Sequence, residues 1–219
     1  MHLHIATGGT QCIGAWRVRP EGTPVAGLVV VQEVFGVNAH IRAMVERFAA
    51  CGFDTIAPAL FDHVETGVEL DYDQAGLDTG LKLAAETGFE RAVAAVASAA
   101  EAIGSAGRIG VVGYCWGGTV AFLANARLGL PAVSYYGGRT VPFLASERPD
   151  APLMLHFGRD DPVIPRADID KHRAALPQAQ IHLYDAGHGF NCDQRPDFAP
   201  VAARLAMDRS LAFFRSHLT

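Results

Sequence analysis

The sequence has no apolar run near the roughly 20 residues that span a bilayer. Its N-terminus lacks the basic segment and apolar core of a signal peptide. The chain as a whole also lacks a cluster of basic residues, and its net charge is −5. A surface that binds nucleic acid or anionic membrane is therefore not expected, because nothing would neutralise the phosphates. These absences predict a cytoplasmic protein that has neither nucleic acid nor membrane as a partner.

Cysteine is scarce as well, with four residues scattered over 219 positions. Such scatter fits reduced cytosolic thiols better than a disulfide framework. No repeat, low-complexity tract or block of charge is present. Half the residues are apolar and 19% are charged, which indicates a globular chain. The length suits one domain over residues 1–219.

Short apolar runs alternate with helical patterns, which is typical of βαβ units around a mostly parallel sheet. The runs predict strands at 12–18, 27–31, 53–57, 108–112, 132–136, 152–157 and 180–184. Helical spacing predicts a helix that is capped by Asn38, and further helices over 89–103, 166–176 and 201–217. Residues 58–77 are irregular and acidic, and both a functional loop and a solvated insertion are open interpretations.

The pentapeptide Gly-Tyr-Cys-Trp-Gly at 113–117 follows one of these strands and leads into a helical pattern. A nucleophile between glycines at a strand–turn–helix junction is the elbow of α/β-hydrolases, here with sulfur where serine is usual. Cys115 would lie at a helix N-terminus, where N–H groups and the dipole favour a thiolate and a developing oxyanion. A buried structural cysteine in a glycine-rich turn is the alternative.

A thiol nucleophile needs a base and a group that orients the base. α/β-Hydrolases supply them in the chain order nucleophile, acid, histidine. Here Asp161 follows the predicted strand 152–157, and His188 follows the strand 180–184. Asp160 competes with Asp161, which the Gly-x-x-Asp spacing favours. Each residue alone could be a turn-former or an exposed loop residue, but their joint order at the carboxyl ends of strands favours a catalytic triad.

A zinc site made of Cys115, His188 and Cys192 is a further interpretation. Structural zinc sites usually pair their ligands at short, regular spacing, and only His188 and Cys192 are close in the chain. The sequence therefore predicts no metal and no other cofactor, with Cys192 as a loop thiol.

Three further motifs accompany the elbow: Gln-Glu-Val-Phe-Gly-Val-Asn at 32–38, the loop that contains Asp161, and Gly-His-Gly-Phe at 187–190. With them the chain resembles the dienelactone hydrolase family, the carboxymethylenebutenolidase-like proteins, over nearly its whole length. The resemblance implies a single-domain α/β-hydrolase fold, with a mostly parallel twisted sheet flanked by helices and no large cap.

The resemblance also implies roles for residues around the thiol. The family's glutamate in the 32–38 segment, here Glu33, contacts the thiol and is displaced by substrate, so that the thiolate forms only when substrate is bound. The alternative for Glu33 is a carboxylate paired with an arginine or a backbone group. The oxyanion hole would consist of the backbone N–H groups of Val34 and Trp116.

In the family, two arginines hold the substrate carboxylate. At the corresponding positions this sequence has Leu77 and Cys192 instead. Arg195 or Lys82 could substitute, although neither occupies a matching motif position. An anionic ligand without a bidentate cationic partner loses much of its specific binding. A less charged ester or lactone is therefore as strong an expectation as dienelactone itself.

We therefore expect a cysteine-dependent hydrolase of carboxylic esters or lactones that acts through a Cys115–His188–Asp161 triad and an acyl-enzyme. Its partner would be a small-molecule ester or lactone, and the protein would be a monomer or a small homo-oligomer. The aromatic residues expected to bind substrate, which could equally be core, are Phe35, Tyr136 and Phe190. Alternatives are a non-catalytic or redox-sensing ligand-binding domain, and a thioesterase or peptidase-type acyl hydrolase.

Overall fold

The computed structural model describes residues 2–7 and 12–219. Over these residues the strands are β1 (His2–Ala6), β2 (Cys12–Val18), β3 (Ala26–Val31), β4 (Phe53–Pro58), β5 (Ile109–Tyr114), β6 (Ala132–Tyr135), β7 (Leu153–Gly158) and β8 (Gln180–Tyr184). The α-helices are α1 (Ala39–Ala50), α2 (Gln74–Ala102), α3 (Trp116–Leu128), α4 (Arg166–Ala175) and α5 (Pro200–Leu218).

The strands form one sheet in the order β1-β2-β4-β3-β5-β6-β7-β8. From β4 to β8 every neighbouring pair is parallel, whereas β2 pairs antiparallel with both β1 and β4. All six residues of β3 are buried, as expected for a central strand covered on both faces. The predicted mostly parallel α/β fold is confirmed, and within the described residues no segment forms a separate cap over the sheet.

Helix α1 begins and ends where the sequence predicts. The side chain of Asn38 accepts a hydrogen bond from the backbone N–H of Ile41 at 3.3 Å, so one of the unpaired N–H groups of the first turn is satisfied. The helix ends at Ala50, just before Cys51. The residues of α1 that face the core are His40, Ile41, Met44, Val45, Phe48 and Ala49.

The segment predicted to be irregular over 58–77 is shorter than expected. A 3-10 turn forms at Leu60–His63, and α2 already begins at Gln74, with its N-cap at Asp73. The helix continues through a break at Gly88, where φ is 69°. Glycines within 74–90 weaken the helical pattern of the sequence, which explains why the first half of α2 was missed. The strand β1 was missed as well.

The loops that carry the candidate residues lie at one edge of the sheet. Strands β3, β5, β7 and β8 run in the same direction, so the segments that follow their carboxyl ends come together. None of the helices in the described part of the chain has the length and apolarity needed to cross a membrane.

Candidate active site

Cys115 occupies a strained turn between β5 and α3. Its φ of 53° and ψ of −117° lie outside the regions that most side chains adopt. The backbone N–H of Cys115 donates to the carbonyl of Tyr135 at 3.0 Å, and its own carbonyl accepts from Gly118 at 2.9 Å. Hydrogen bonds of the backbone N–H and carbonyl of Cys115 therefore hold this residue at the N-terminus of α3.

The residues on each side of the turn have to be glycines, because there is no room there for a side chain. A Cβ at Gly113 would lie 1.8 Å from the carbonyl oxygen of Gly117, and one at Gly117 would lie 2.3 Å from that of Gln32. Larger residues would therefore force the elbow away from β3. The Gly-x-Cys-x-Gly pattern follows from close packing of backbone against backbone.

The imidazole of His188 lies between the sulfur and a carboxylate. Its Nε2 is 3.2 Å from the Sγ of Cys115, and its Nδ1 is 2.8 Å from Oδ2 of Asp161. An ionised carboxylate can only accept, so Nδ1–H donates to Asp161. The structure thus brings together three residues that lie far apart in the sequence.

Asp161, and not its neighbour Asp160, makes this contact. The other carboxylate oxygen of Asp161, Oδ1, accepts hydrogen bonds from the backbone N–H groups of Val163 at 2.7 Å and Ile164 at 3.1 Å. These bonds fix the carboxylate before any ligand binds. Asp161 is buried, whereas Asp160 is exposed.

The surroundings of His188 favour its charged form. Burial opposes the charge, but the Cys115 sulfur and the hydrogen bond to Asp161 outweigh burial and raise the pKa of His188 to about 10. At neutral pH the ring is an imidazolium next to the Cys115 sulfur. It can therefore act as a proton donor to a leaving group.

The two residues expected to supply the oxyanion hole line the same cavity as Cys115. Trp116 is the first residue of α3, so its N–H has no carbonyl one turn earlier to bind. Val34 follows β3 and lines the same cavity as Cys115 and Trp116. A Cβ at Gly80 would lie 1.9 Å from the carbonyl of Val34, so α2 packs tightly against the backbone of this loop.

Glu33 is fully buried, and its described contacts are with residues other than the thiol. Its Oε2 accepts a hydrogen bond from the hydroxyl of Tyr72 at 2.9 Å, and Oε1 lies 3.7 Å from Nη1 of Arg195. This arrangement corresponds to the alternative in which Glu33 pairs with an arginine. The sulfur of Cys115 is already engaged by His188.

A cavity of about 490 Å³ opens in front of the sulfur. Its wall includes Cys115, His188 and the predicted residues Val34, Phe35 and Trp116. The other lining residues are Tyr72, Asp73, Gln74, Leu77, Leu81, Gly138, Arg139, Val163 and Arg195. The cavity is therefore largely apolar, with two arginines at its wall.

Two of the predicted substrate-binding residues do not reach this wall. Tyr136 and Phe190 are fully buried, with ring centroids 5.4 Å apart. The ring of Tyr136 lies 5.1 Å from that of His188. These residues form the packed layer behind the imidazole, because the sharp turn after β6 directs Tyr136 into the core, with φ at 41°.

Several cavity residues were not identified from the sequence. Tyr72 lies in the acidic segment, and Arg139 lies in the loop after β6. Arg195 was considered only as a substitute anchor, and it reaches the cavity because Gly189 leaves room: a Cβ there would lie 2.7 Å from the Arg195 guanidinium. Lys82 is exposed and pairs with Glu86 instead. No local motif marks these positions, since they depend on how the loops pack.

Cys192 does not join Cys115 and His188. It is buried with Glu33 and His40, and the ligand-capable atoms of these three residues lie within 4.8 Å of one another. Burial and the charge of Glu33 raise the pKa of the Cys192 thiol to about 11. Burial lowers the pKa of His40, although Glu33 acts in the opposite direction. Cys192 therefore lies in a loop, as expected from the sequence, but its side chain is buried in the core.

Comparison with known proteins extends over nearly the whole chain. The sequence model of the dienelactone hydrolase family matches residues 13–218. The carboxymethylenebutenolidase of Pseudomonas putida is 33% identical over 211 residues, which cover 91% of this chain and 89% of that protein. Carboxymethylenebutenolidase 1 of Cupriavidus pinatubonensis is 30% identical over 212 residues, with 90% and 89% coverage.

A similar fold is found among solved structures. A crystal structure from Klebsiella pneumoniae subsp. pneumoniae MGH 78578, named "Putative Dienelactone Hydrolase", superposes with a TM-score of 0.85. It is 26% identical to this chain, and the match covers 98% of both chains.

Proposed function

The chain belongs to the dienelactone hydrolase family, and on that premise we propose that it hydrolyses carboxylic esters or lactones through a covalent intermediate on Cys115. The observation that supports this most is the line of hydrogen bonds from sulfur to imidazole to carboxylate, 3.2 and 2.8 Å long, at the wall of an apolar cavity. Nucleophilic catalysis needs this sequence of groups.

In the acylation step the Cys115 thiolate attacks the carbonyl carbon, and a carbon–sulfur bond forms. The carbonyl oxygen becomes an oxyanion, which the N–H groups of Val34 and Trp116 stabilise by about 3 kcal/mol per donor. As the intermediate collapses, the carbon–oxygen bond to the leaving group breaks. His188 gives its Nε2 proton to the departing alkoxide, while Asp161 keeps the ring oriented.

In the deacylation step water attacks the thioester. The neutral imidazole of His188 takes a proton from the water as the new carbon–oxygen bond forms. The second tetrahedral intermediate releases the carboxylic acid and regenerates the Cys115 thiolate, with His188 again an imidazolium. A lactone differs only in that its alkoxide stays attached to the acyl group.

The cavity wall favours a substrate with an apolar body and an anionic group. Leu77, Leu81 and Val163 supply the apolar surface, and Arg139 and Arg195 supply positive charge. Arg195 also lies 3.6 Å from Asp197, so it is already oriented before a ligand arrives. A carboxylate would gain charge-assisted hydrogen bonds there.

The test is a panel of short acyl esters and lactones, each prepared with and without a carboxylate, assayed with wild type and Cys115→Ala. We expect turnover by wild type, loss of turnover in the variant, and an acyl adduct on Cys115 in the quenched protein by peptide mass spectrometry. Equal turnover by both proteins would remove Cys115 from the mechanism. Stoichiometric alkylation of Cys115 with no turnover of any substrate would favour the redox-sensing or ligand-binding alternative.

Selectivity within the panel addresses the remaining alternatives. Faster turnover of thioesters or small peptides than of oxygen esters would favour the thioesterase or peptidase-type hydrolase. A preference for carboxylate-bearing esters that disappears in Arg195→Gln would support the anionic substrate. The same substitution at Arg159, an exposed arginine that pairs with Asp185, is the matched control.

A further inference from the structure

A second group of chemically reactive side chains lies next to the candidate active site. The proposed hydrolysis does not use these three side chains together. Glu33 follows β3, His40 is the second residue of α1, and Cys192 lies in the loop after β8. All three are fully buried. A carboxylate oxygen, an imidazole nitrogen and the sulfur lie within 4.8 Å of one another.

The imidazole of this group is not satisfied by the protein. Neither Nδ1 nor Nε2 of His40 has a hydrogen-bond partner among the described residues, and Oε1 of Glu33 has only the Arg195 guanidinium, 3.7 Å away. Leaving a buried polar atom unpaired destabilises the fold, because the atom loses its hydrogen bonds to water and gains none in the protein. A buried imidazole with both nitrogens unpaired, next to a carboxylate and a thiol, indicates that a ligand binds there.

The donor set restricts the ligand. Imidazole nitrogen, thiolate sulfur and carboxylate oxygen together suit Zn²⁺ and similar borderline cations, whereas Mg²⁺ and Ca²⁺ prefer oxygen ligands alone. Bonds of about 2.3 Å to sulfur and 2.0–2.1 Å to nitrogen put two donors on a tetrahedral zinc ion about 3.5 Å apart. The three residues would need to approach one another by on the order of 1 Å.

We propose that Glu33, His40 and Cys192 form a binding site for a zinc-like divalent cation. Binding breaks the S–H bond of Cys192, and the proton passes to solvent. The thiolate and the Glu33 carboxylate then balance the two charges of the ion, and His40 binds as a neutral ligand. The fourth position of the tetrahedron is left for water.

Neighbouring groups are arranged to hold the carboxylate. The hydroxyl of Tyr72 donates to Oε2 of Glu33 at 2.9 Å, which leaves Oε1 for the ion. Such hydrogen bonds orient a ligand and tune its affinity for metal. Arg195 lies 3.7 Å from Oε1 and 3.6 Å from Asp197, so it can keep Asp197 as its partner when the cation takes Oε1.

The experiment measures metal binding directly and does not depend on hydrolysis. Full-length protein is stripped with EDTA, freed of chelator and titrated with Zn²⁺ by calorimetry and with Co²⁺ by absorption spectroscopy. We expect one equivalent of each ion to bind, with a thiolate-to-cobalt charge-transfer band. Cys192→Ser and His40→Phe should each weaken binding by at least about 100-fold, and Cys192→Ser should abolish the band.

Two cysteine variants serve as controls. Cys51→Ser removes a free cysteine outside the cluster, and it should bind like wild type. Cys115→Ser tests the other imidazole–thiol pair in the molecule, and it should also retain binding. Circular dichroism of every variant checks the fold, and Glu33→Gln provides a third ligand substitution.

The proposal is overturned if the stripped wild type binds less than one equivalent of either ion. It is also overturned if Cys115→Ser loses the cobalt band while Cys192→Ser keeps it, because the ion would then lie on the Cys115–His188 pair. Neither result bears on the proposed hydrolysis, which is measured separately through turnover and the acyl adduct.

Discussion

The molecule contains two groups of cysteine, histidine and carboxylate at the same edge of its sheet, and they differ in how their atoms are paired. In the first, Cys115, His188 and Asp161 form an unbroken chain of hydrogen bonds. In the second, one ligand-capable atom from each of Glu33, His40 and Cys192 lies within 4.8 Å of the others, but both nitrogens of His40 lack a hydrogen-bond partner among the described residues.

The difference in pairing sets the charge on each imidazole. The sulfur of Cys115 and the hydrogen bond to Asp161 overcome burial and raise the pKa of His188 to about 10. At His40 burial dominates, so its pKa falls. Residue types alone therefore do not define the chemistry of a site. Directed hydrogen bonds make His188 a proton donor, whereas their absence at His40 leaves that ring a neutral group beside a thiol and a carboxylate.

The largest contrast is expected between the two histidines. His188→Gln removes the proton donor and acceptor, and we expect kcat to fall by about 10⁵-fold or more, as for removal of the histidine in other triads. His40→Gln, assayed with EDTA present, should change kcat by less than tenfold. Steady-state kinetics on the best ester of the panel measures both, and comparable losses in the two variants would contradict the separation of roles.

The two adjacent aspartates give the next contrast. Asp161→Asn keeps the shape of the side chain but removes the charge that orients and stabilises the imidazolium, so kcat should fall by about 10⁴-fold. Asp160→Asn alters an exposed neighbour and should leave kcat nearly unchanged. If Asp160→Asn were the more damaging substitution, the acid of the triad would have been misassigned.

The two thiols should differ in reactivity. Cys192 is buried and its pKa is raised to about 11, so it is protonated at pH 7.5, whereas Cys115 faces an imidazolium at the cavity wall. We expect iodoacetamide to alkylate Cys115 at least about 100-fold faster than Cys192. Timed quenching and peptide mapping separate both from Cys12 and Cys51. Equal rates would show that Cys192 is accessible and ionised.

The smallest effect is a difference in protonation between the imidazoles. Below a pKa of about 10 His188 carries its second proton, and above it the ring is neutral; His40, with a lowered pKa, should stay neutral at pH 7. Nitrogen-15 NMR of the labelled protein distinguishes the two states. In Cys115→Ala the pKa of His188 should decrease, because the sulfur helps to raise it. A neutral His188 at pH 7 would argue against its role as an acid.

Much of the first group could be predicted because its signals are local. The glycines around Cys115 are needed wherever backbone approaches backbone in a sharp turn, and the order of Cys115, Asp161 and His188 after successive strands brings them to one edge. The second group has no such signal. His40 occupies a core-facing position of a helix and Cys192 an unremarkable loop position, so only the packing of α1 against two loops brings them to Glu33.

The sequence by itself determined the α/β architecture and the elbow, because periodic apolar runs and obligatory glycines act over a few residues. Tertiary structure alone decided that Tyr136 and Phe190 lie behind the imidazole, and that Tyr72 and Arg195 contact Glu33. These outcomes depend on contacts between segments far apart in the chain, where a shift of an ångström separates a hydrogen bond from an unpaired atom.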